Sequence, residues 1–275
     1  MKEISKKTLY ILFFVIFVGS MLFPFLFILF SSFKTSKDIM AIPPKLLPTE
    51  WIFSNYVDAF QIQPLMIYLR NSLIMSLMVV FLTILIGSLA AYALSRTEIK
   101  GKKIFLVFLL LISLLPPVTI INPIYQLLSS LHLLNSYLGL ALVITVLELP
   151  LAVWFLTAFF DTIPKSLEES AEIDGANIFQ VFKSILFPLV KSGIFTVSIL
   201  VFIGAWNQFL FALVLNQFEA RRMVTVGITL YITDYLVPWG VLSAASIIVI
   251  IPLILMVLAL QKRILSGVLE GGVKE

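Results

Sequence analysis

Long apolar runs dominate this chain and limit the folds open to it. Each run is close to the roughly 20 residues that an α-helix needs to cross a bilayer. The mean hydropathy of +1.09 and the 60% apolar content exceed those of an ordinary soluble domain. The sequence therefore predicts an all-α integral membrane protein with six transmembrane helices. The predicted spans are residues 9–30, 72–94, 104–127, 137–160, 192–215 and 241–260.

Lysine and arginine predict how these spans are oriented. If the N-terminus is inside, the inner segments hold thirteen lysines and arginines and the outer segments hold six. Because cytoplasmic loops carry the excess of positive charge, we expect both termini in the cytoplasm. The first span follows Lys2, Lys6 and Lys7, as a signal peptide would. Its apolar stretch is too long for a signal peptide and no small-residue cleavage site follows it, so we expect it to be retained.

This topology divides the chain into three parts. Residues 1–70 hold the first span and an outer loop, 71–262 hold a five-span core, and 263–275 form a cytoplasmic tail. Within the core, the polar segment 161–190 joins the fourth and fifth spans on the cytoplasmic side. We therefore expect a multi-pass protein of the cell membrane. The sequence pI near 9.2 follows from the positive-inside bias rather than from binding to nucleic acid.

Residue counts exclude several kinds of chemistry. The chain has no cysteine and a single histidine, His132, which rules out disulfides and thiolate or histidine metal clusters. With Glu148 as the one carboxylate deep in a span, the inventory for a membrane enzyme is poor. An ion-driven secondary transporter commonly has internal repeats and several buried charges, and the chain shows neither. We expect a protein that is not an enzyme and binds no metal or cofactor.

Four acidic residues stand close together in segment 161–190, although only 12% of the chain is charged. They are Glu168, Glu169, Glu172 and Asp174. Ser166-x-x-Glu169 fits a capping box, and Pro164 in the first helical turn is the alternative start. Gly175 is expected to end this helix, because glycine adopts the left-handed conformation readily. The pattern alone leaves a solvated acidic loop and a helix that docks to a partner as equal alternatives.

A second helix is expected after Gly175. Its signal is an apolar stripe with helical spacing, formed by Ile178, Phe182, Ile185, Leu186 and Leu189. Pro188 marks the point where this helix should pass into the fifth span. The segment is thus predicted to be helix, turn, helix at the cytoplasmic face.

The spacing within this segment follows a known pattern. Glu169-Ser170-Ala171 is followed by three residues and Gly175, then by nine residues and Ile185-Leu186-Phe187-Pro188. It resembles the EAA loop of ABC-transporter permeases, from which Ser170 and Phe187 depart. In that family the loop forms a coupling helix that sits in a cleft of the ATP-hydrolysing subunit. The resemblance implies that Glu169, Ala171 and Gly175 make this joint. The full set of candidate coupling residues is Glu168, Glu169, Ser170, Ala171, Glu172, Asp174, Gly175 and Ala176.

Other stretches resemble the sugar permeases of the maltose-transporter type, in particular the MalG-type subunit. They are Asn71-Ser72, Ala91 to Arg96, Lys100 to Lys103, Trp206-Asn207-Gln208-Phe209 and the tail Ser266 to Lys274. The resemblance implies a type I importer permease that moves a sugar by alternating access. It also implies a second homologous permease, two copies of an ATPase that uses ATP and Mg, and an extracellular binding protein. This chain lacks the phosphate-loop pattern G-x-x-x-x-G-K-[ST], so ATP hydrolysis is expected in a partner.

Five residues are candidates for the substrate pathway: Glu148, Asn122, Trp206, Asn207 and Gln208. Glu148 could hydrogen-bond a sugar hydroxyl, lock the interface between permeases, or be protonated in place. The ring and amides of 206–208 suit either a sugar site or helix packing. Pro116-Pro117 and Asn122-Pro123 are expected to break the third span, either beside a transport path or as a simple kink.

The charge of the spans bears on which solute the chain carries. An anionic solute such as glycerol phosphate would need cations along the spans, which contain almost none. A peptide is a further alternative. Arg221 and Arg222 lie in the last outer loop, where the binding protein is expected to dock, and plain solvated charge is the alternative there.

Overall fold

The computed structural model describes residues 6–233 and 237–272, with side chains over 7–233 and 237–259. This part of the chain is helical and contains no strand. Its α-helices are α1 (Lys6–Ser31), α2 (Ser36–Ile39), α3 (Ser54–Ile62), α4 (Leu65–Arg96), α5 (Lys102–Ser113), α6 (Pro117–Ser130), α7 (Tyr137–Asp161), α8 (Ser166–Ile173), α9 (Ile178–Val181), α10 (Phe187–Trp206), α11 (Leu210–Leu215), α12 (Val224–Thr229) and α13 (Trp239–Gly272). A π-helical segment, Phe182–Leu186, joins α9 to α10.

Five stretches among the described residues are long and apolar enough to cross a membrane: α1, α4, α7, the continuous helix Ile178–Trp206 and α13. The pair α5 and α6 provides a sixth if the two helices together make one span. The prediction of an all-α membrane protein is therefore confirmed. The predicted first, second, fourth and sixth spans each lie inside one helix.

The predicted third span, 104–127, is not one straight helix. α5 and α6 meet at an angle of 87°. The break falls at Pro116-Pro117 as predicted, because the second proline holds Pro116 in an extended conformation, with ψ 123°. The prediction that Asn122-Pro123 also breaks the span is wrong, since Pro123 lies inside α6. One isolated proline removes a single helical hydrogen bond, which a membrane helix can tolerate.

The predicted fifth span, 192–215, begins and ends too late. Its helix is already formed at Ile178 and ends at Trp206, with Asn207 as the C-cap, and α11 starts separately at Leu210. Asparagine favours helix ends because its short amide competes for backbone hydrogen bonds. Hydropathy does not detect this end, because the residues of α11 are as apolar as the span itself.

The described residues fall into two compact units. One holds the residues up to Met66 together with Gly227–Pro252, and the other holds Ile67–Val226 with the residues from Leu253 onward. In the first unit the segment after α1 is fastened by side chains. The amide of Asn55 donates to the carbonyls of Ser32 and Lys34 at 2.9 and 3.0 Å.

In the second unit α4, α7 and α10 pack around a shared core. Buried members from the three helices include Met75, Leu156 and Val197. Gly193 allows α10 to approach α7 closely, because a Cβ there would lie 2.4 Å from the ring of Phe159. Small residues of this kind are how membrane helices gain close contact. This unit carries the coupling segment and every candidate pathway residue.

Candidate functional site

The coupling segment begins with α8, whose first turn differs from the prediction. The capping box Ser166-x-x-Glu169 is wrong, because the residue that precedes the helix is Lys165, and no side chain caps its amides. Lys165 is itself in helical conformation, and its carbonyl accepts the N–H groups of Glu168 and Glu169 at 2.9 and 3.1 Å. Ser166 therefore lies inside the first turn rather than at the extended cap position. Pro164 precedes the helix rather than occupying its first turn.

The turn after α8 is formed as predicted. Asp174 is the C-cap, and Gly175 takes the left-handed conformation with φ +85°. A capping box then opens the next helix at Asn177, whose side chain accepts the N–H of Gln180 at 2.9 Å. Gln180 in turn accepts the N–H of Asn177 at 2.8 Å. This Asn-x-x-Gln signal before an apolar run was readable in the sequence and was missed.

The apolar stripe predicted after the turn is confirmed at its centre and wrong at its two ends. The π-helical segment Phe182–Leu186 adds one residue to a turn, and the N–H of Phe187 bonds the carbonyl five residues earlier. Ile178 and Leu189 of the predicted stripe are exposed. Leu186 is buried and Phe182 and Ile185 are half-buried, as predicted. Val181 and Val190 complete the buried side in place of the two end residues. Pro188 explains the location, because it has no N–H for the carbonyl four residues earlier.

The helix α8 has two chemically different faces. The candidate coupling residues on its exposed face and in the turn are Glu169, Ser170, Glu172, Asp174 and Gly175. Glu168 and Ala171 are buried, and Ala176 is half-buried. Apolar side chains extend the exposed surface, since Ile173 is 87% exposed and Phe179 is 68% exposed. An exposed apolar surface bordered by carboxylates suits docking to a basic, partly apolar cleft.

Glu168 is buried against the ends of α4 and α7, where it forms an ion pair with an arginine. Arg96, the last residue of α4, donates from Nε to Oε1 of Glu168. The hydroxyl of Tyr92 donates to Oε2 at 3.3 Å. The two Nη atoms of Arg96 donate to the carbonyls of Phe160 at 3.1 Å and Ile163 at 3.4 Å. One guanidinium thus joins the end of α4, the end of α7 and the chain entering α8.

A second ion pair lies beside the first. Asp161, the last residue of α7, accepts from Nζ of Lys102 at 3.0 and 3.1 Å and from the hydroxyl of Ser95 at 2.6 Å. Nη1 of Arg96 donates to that same hydroxyl at 3.0 Å. The ends of α4 and α7 and the start of α5 are therefore connected by one polar network.

Among the candidate pathway residues, Glu148 occupies a notch between α7 and α10. A Cβ on Gly204 would lie 2.3 Å from Oε1 of Glu148, so glycine is what leaves room for the carboxylate. No side chain or amide in the described part of the chain hydrogen-bonds it. The surrounding space is about 10 Å³ and is walled by apolar residues such as Phe155 and Val201. That volume is at the lower limit for a single water.

The remaining candidates differ from Glu148 in their surroundings. Trp206 is 1% exposed and stacks on Phe202 with ring centroids 5.7 Å apart. Its indole N–H has no hydrogen-bond partner among the described residues. Asn207 and Asn122 are exposed, and the backbone carbonyl of Gln208 accepts the hydroxyl of Thr225 at 2.7 Å. Their part in a pathway stays a prediction.

The outer arginines are held by aromatic rings. Arg221 lies over the ring of Tyr137, 4.3 Å from its centroid, and Arg222 lies 5.9 Å from that of Tyr68. The buried Asn71 donates to the carbonyl of Arg222 at 2.9 Å and accepts the hydroxyl of Tyr137 at 2.6 Å. The loop after α11 is therefore fastened to the start of α4 and α7, which the sequence pattern did not predict.

Comparison with known proteins agrees with this architecture. Residues 83–269 match the family described as binding-protein-dependent transport system inner membrane component. The chain is 40% identical over 253 residues to the sulfoquinovosyl glycerol transport system permease protein SmoH of Agrobacterium fabrum, covering 92% of this chain and 89% of that protein. It is 35% identical to the trehalose/maltose transport system permease protein MalG of Thermococcus litoralis, covering 99% of each.

The fold also matches a solved structure. A chain of a bacterial ABC transporter involved in the import of the acidic polysaccharide alginate superposes with a TM-score of 0.79 at 22% identity. The match covers 92% of this chain and 94% of that chain. At this level of identity the similarity shows the fold, which is that of an ABC importer permease.

Proposed function

The chain belongs to the family of binding-protein-dependent transport system inner membrane components, and from this membership we propose that it is the permease subunit of an ATP-driven importer for a disaccharide or oligosaccharide. The proposed mechanism is alternating access. Closure of a separate ATPase dimer displaces the coupling segment, and the spans turn the pathway from one side of the membrane to the other. This chain supplies part of the transport pathway and the coupling segment. The ATPase binds ATP and Mg and hydrolyses the ATP.

The observation that carries the proposal is the exposed face of α8 and its turn. Glu169, Glu172 and Asp174 surround the exposed side chain of Ile173 at the end of a short helix. A membrane protein gains nothing in its own packing from such a surface. A partner with a basic and apolar cleft would bury the apolar part and pair the carboxylates.

The cargo follows from the relatives rather than from the pathway residues. Two permeases similar to this chain are named for glycoside or disaccharide transport. The six predicted spans of this chain contain no lysine or arginine that could pair with the phosphate of glycerol phosphate. A neutral sugar needs hydrogen-bonding groups, and Glu148, Asn122, Trp206, Asn207 and Gln208 are the proposed sources.

The proposed assembly has three kinds of protein partner. A second, homologous permease completes the pathway, two ATPase subunits bind the coupling segments, and an extracellular binding protein delivers the sugar. The orientation that this requires places α8 in the cytoplasm, which is the orientation that the charge distribution predicts. The lipid bilayer covers much of the rest, since α1 buries none of its apolar window within the described chain.

Reconstitution tests the cargo assignment. The complex would be purified with its own copurifying partners, inserted into liposomes with the binding protein, and assayed for ATPase stimulation by a panel of sugars, peptides and glycerol phosphate. We expect stimulation by a disaccharide or oligosaccharide. Stimulation by a peptide or glycerol phosphate alone would overturn the sugar assignment and leave the permease assignment intact.

Charge reversal tests the docking of the coupling segment to the ATPase. Glu169→Lys should abolish copurification of the ATPase or its stimulation, because it puts a cation where the cleft expects an anion. Glu98→Lys is the matched control, since Glu98 is also an exposed acid on the predicted cytoplasmic side but lies outside the coupling segment. Wild-type transport by Glu169→Lys would show that this face does not dock the ATPase.

A further inference from the structure

Glu168 differs from the other acidic residues of α8. It is 7% exposed, whereas Glu169, Glu172 and Asp174 are exposed. A buried carboxylate is costly unless it is paired, so its location reflects a specific partner. That partner is not an outside protein, because the carboxylate already binds within the chain.

The partners of Glu168 come from far along the sequence. Arg96 is 72 positions away and Tyr92 is 76 positions away, both in the last two turns of α4. The side chains of Arg96 and Glu168 are 11% and 10% exposed, so water screens the pair little. Arg96 also donates to the carbonyls of Phe160 and Ile163. Only the planar fork of arginine makes all these bonds at once, and lysine would lose most of them.

The helix that Arg96 ends is long and unbroken. α4 runs from Leu65 to Arg96 without an internal proline. Its 32 residues correspond to a length of about 48 Å at 1.5 Å per residue. A displacement applied at Arg96 is therefore carried along a span rather than absorbed by a loop.

The chain that leads from α8 to α10 is less regular than α4. From Gly175 the chain passes through the capping box of α9 and then through the π-helical segment Phe182–Leu186 before α10. A π-helical turn and the proline that follows it lack the regular ladder of helical hydrogen bonds. α8 is therefore connected to α7 by a short segment of chain, to α10 through an irregular helix, and to α4 through the buried ion pair.

We propose that Arg96 and Glu168 form a positioning joint that fastens the coupling helix α8 to α4, so that α4 follows each displacement of α8 during transport. Glu168 acts through Arg96 and does not contact the ATPase. This inference rests on the proposed function, because it describes how the coupling segment acts on the spans.

The test uses charge reversal and its exchange in the complete reconstituted complex. The variants are Arg96→Glu, Glu168→Arg and the double exchange Arg96→Glu/Glu168→Arg. The measured quantity is solute transported per ATP hydrolysed, with copurification of the ATPase as a second readout. Each single reversal should lower solute per ATP by about tenfold or more, because two like charges then face each other in a buried site. The double exchange should recover a large part of that loss, and the ATPase should copurify in all three.

Two further variants keep the test decisive if a reversal lowers the amount of complex in the membrane. Glu168→Gln removes the charge and Arg96→Lys removes the fork, and both keep the size of the side chain. We expect each to lower solute per ATP, and Arg96→Lys to do so although the charge is kept. Glu169→Gln is the matched control on the exposed face, and its effect should appear in ATPase copurification instead.

Some outcomes would overturn the proposal that Arg96 and Glu168 fasten α8 to α4. Glu168 variants that lose the ATPase as Glu169 variants do would show that Glu168 contacts the partner. Variants with wild-type solute per ATP, or a double exchange no better than the single reversals, would show that the pair transmits nothing. Failure of the proposed function looks different, because the wild-type complex itself would then show no ATP-dependent transport.

Discussion

Two buried carboxylates hold segments outside the apolar spans, and they do so in opposite ways. Asp38, after α1, accepts the N–H and the hydroxyl of Thr49 at 2.9 and 2.8 Å and Nζ of Lys45 at 3.0 Å. These partners are 11 and 7 positions away. Glu168 binds partners 72 and 76 positions away, at the end of α4.

The difference in sequence distance separates two tasks. Local partners close a short loop, so Asp38 fixes the shape of residues 38–49. Distant partners join separate helices, so Glu168 makes two elements move together. The two sites also differ in the groups that are bound, because Asp38 accepts a backbone N–H and an ammonium, whereas Glu168 accepts a guanidinium. Perturbing Asp38 should therefore stay local, whereas perturbing Glu168 should spread.

Arg96→Ala should have the largest effect on stability. It leaves Glu168 buried without its cation, which costs about 3–5 kcal/mol of unfolding free energy. Titration with sodium dodecyl sulfate in detergent micelles, followed by circular dichroism, measures the loss. The double variant Arg96→Ala/Glu168→Ala should be more stable than Arg96→Ala, because no unpaired charge remains. A double variant that is less stable than the single one would contradict the pairing.

The sequence predicted the helix and the turn of the coupling segment, but it did not predict the pair formed by Arg96 and Glu168. The end of α8 and the turn at Gly175 were predictable, because only glycine adopts a φ of +85° without strain. The break at Pro116-Pro117 was predictable for a similar reason, since proline fixes its own backbone. Both signals are local, and local signals act within a few residues.

The errors have a common physical cause. The capping box predicted at Ser166 is not formed, and the box at Asn177, which opens the next helix, was not predicted. A four-residue pattern does not show whether its side chains bond the backbone. The apolar stripe assumed a uniform 3.6-residue period, and the π-helical turn before Pro188 shifts that period by one residue. The pairing of Glu168 with Arg96 depends on how α4 and α7 pack, and no spacing within the segment contains that information.

Gly175→Ala should cost about 1 kcal/mol, because an L-residue at positive φ is strained. No atom lies within 4 Å of the added Cβ, so the cost is conformational and not steric. Gly101→Ala is a matched control, with φ +86° and the same open surroundings. Both variants should lose similar stability in the detergent titration. Only Gly175→Ala should also reduce sugar-stimulated ATP hydrolysis, and an equal reduction in both would argue against a special role of the coupling turn.

The contacts that Asp38 makes with Thr49 and Lys45 should be lost in acid. The N–H of Thr49, then its hydroxyl, then Lys45 lower the pKa of Asp38 from 3.8 to about 2. A carboxyl with a lowered pKa stabilises the folded loop above the unfolded value, and this contribution is lost as the pH falls from about 4 through about 2. Pepsin should therefore cleave near residues 38–49 faster in that range. Asp38→Asn should be cleaved quickly throughout, and comparison at each pH removes the protease's own pH dependence. A rate ratio that does not change between pH 4 and pH 2 would contradict this expectation.

Lys102→Ala should have the smallest effect, although Lys102 lies beside the Arg96 joint. The side chains of Lys102 and Asp161 are 24% and 46% exposed, and a pair so accessible to water contributes about 0.2–1 kcal/mol. High salt should remove most of that contribution, because the screening length falls from about 8 Å at physiological ionic strength to about 3 Å at 1 M. The wild type and Lys102→Ala should therefore become equally stable at 1 M salt, while Arg96→Ala stays less stable than both. If salt erased the Arg96→Ala defect as well, burial would not be what distinguishes the joint from its neighbouring pair.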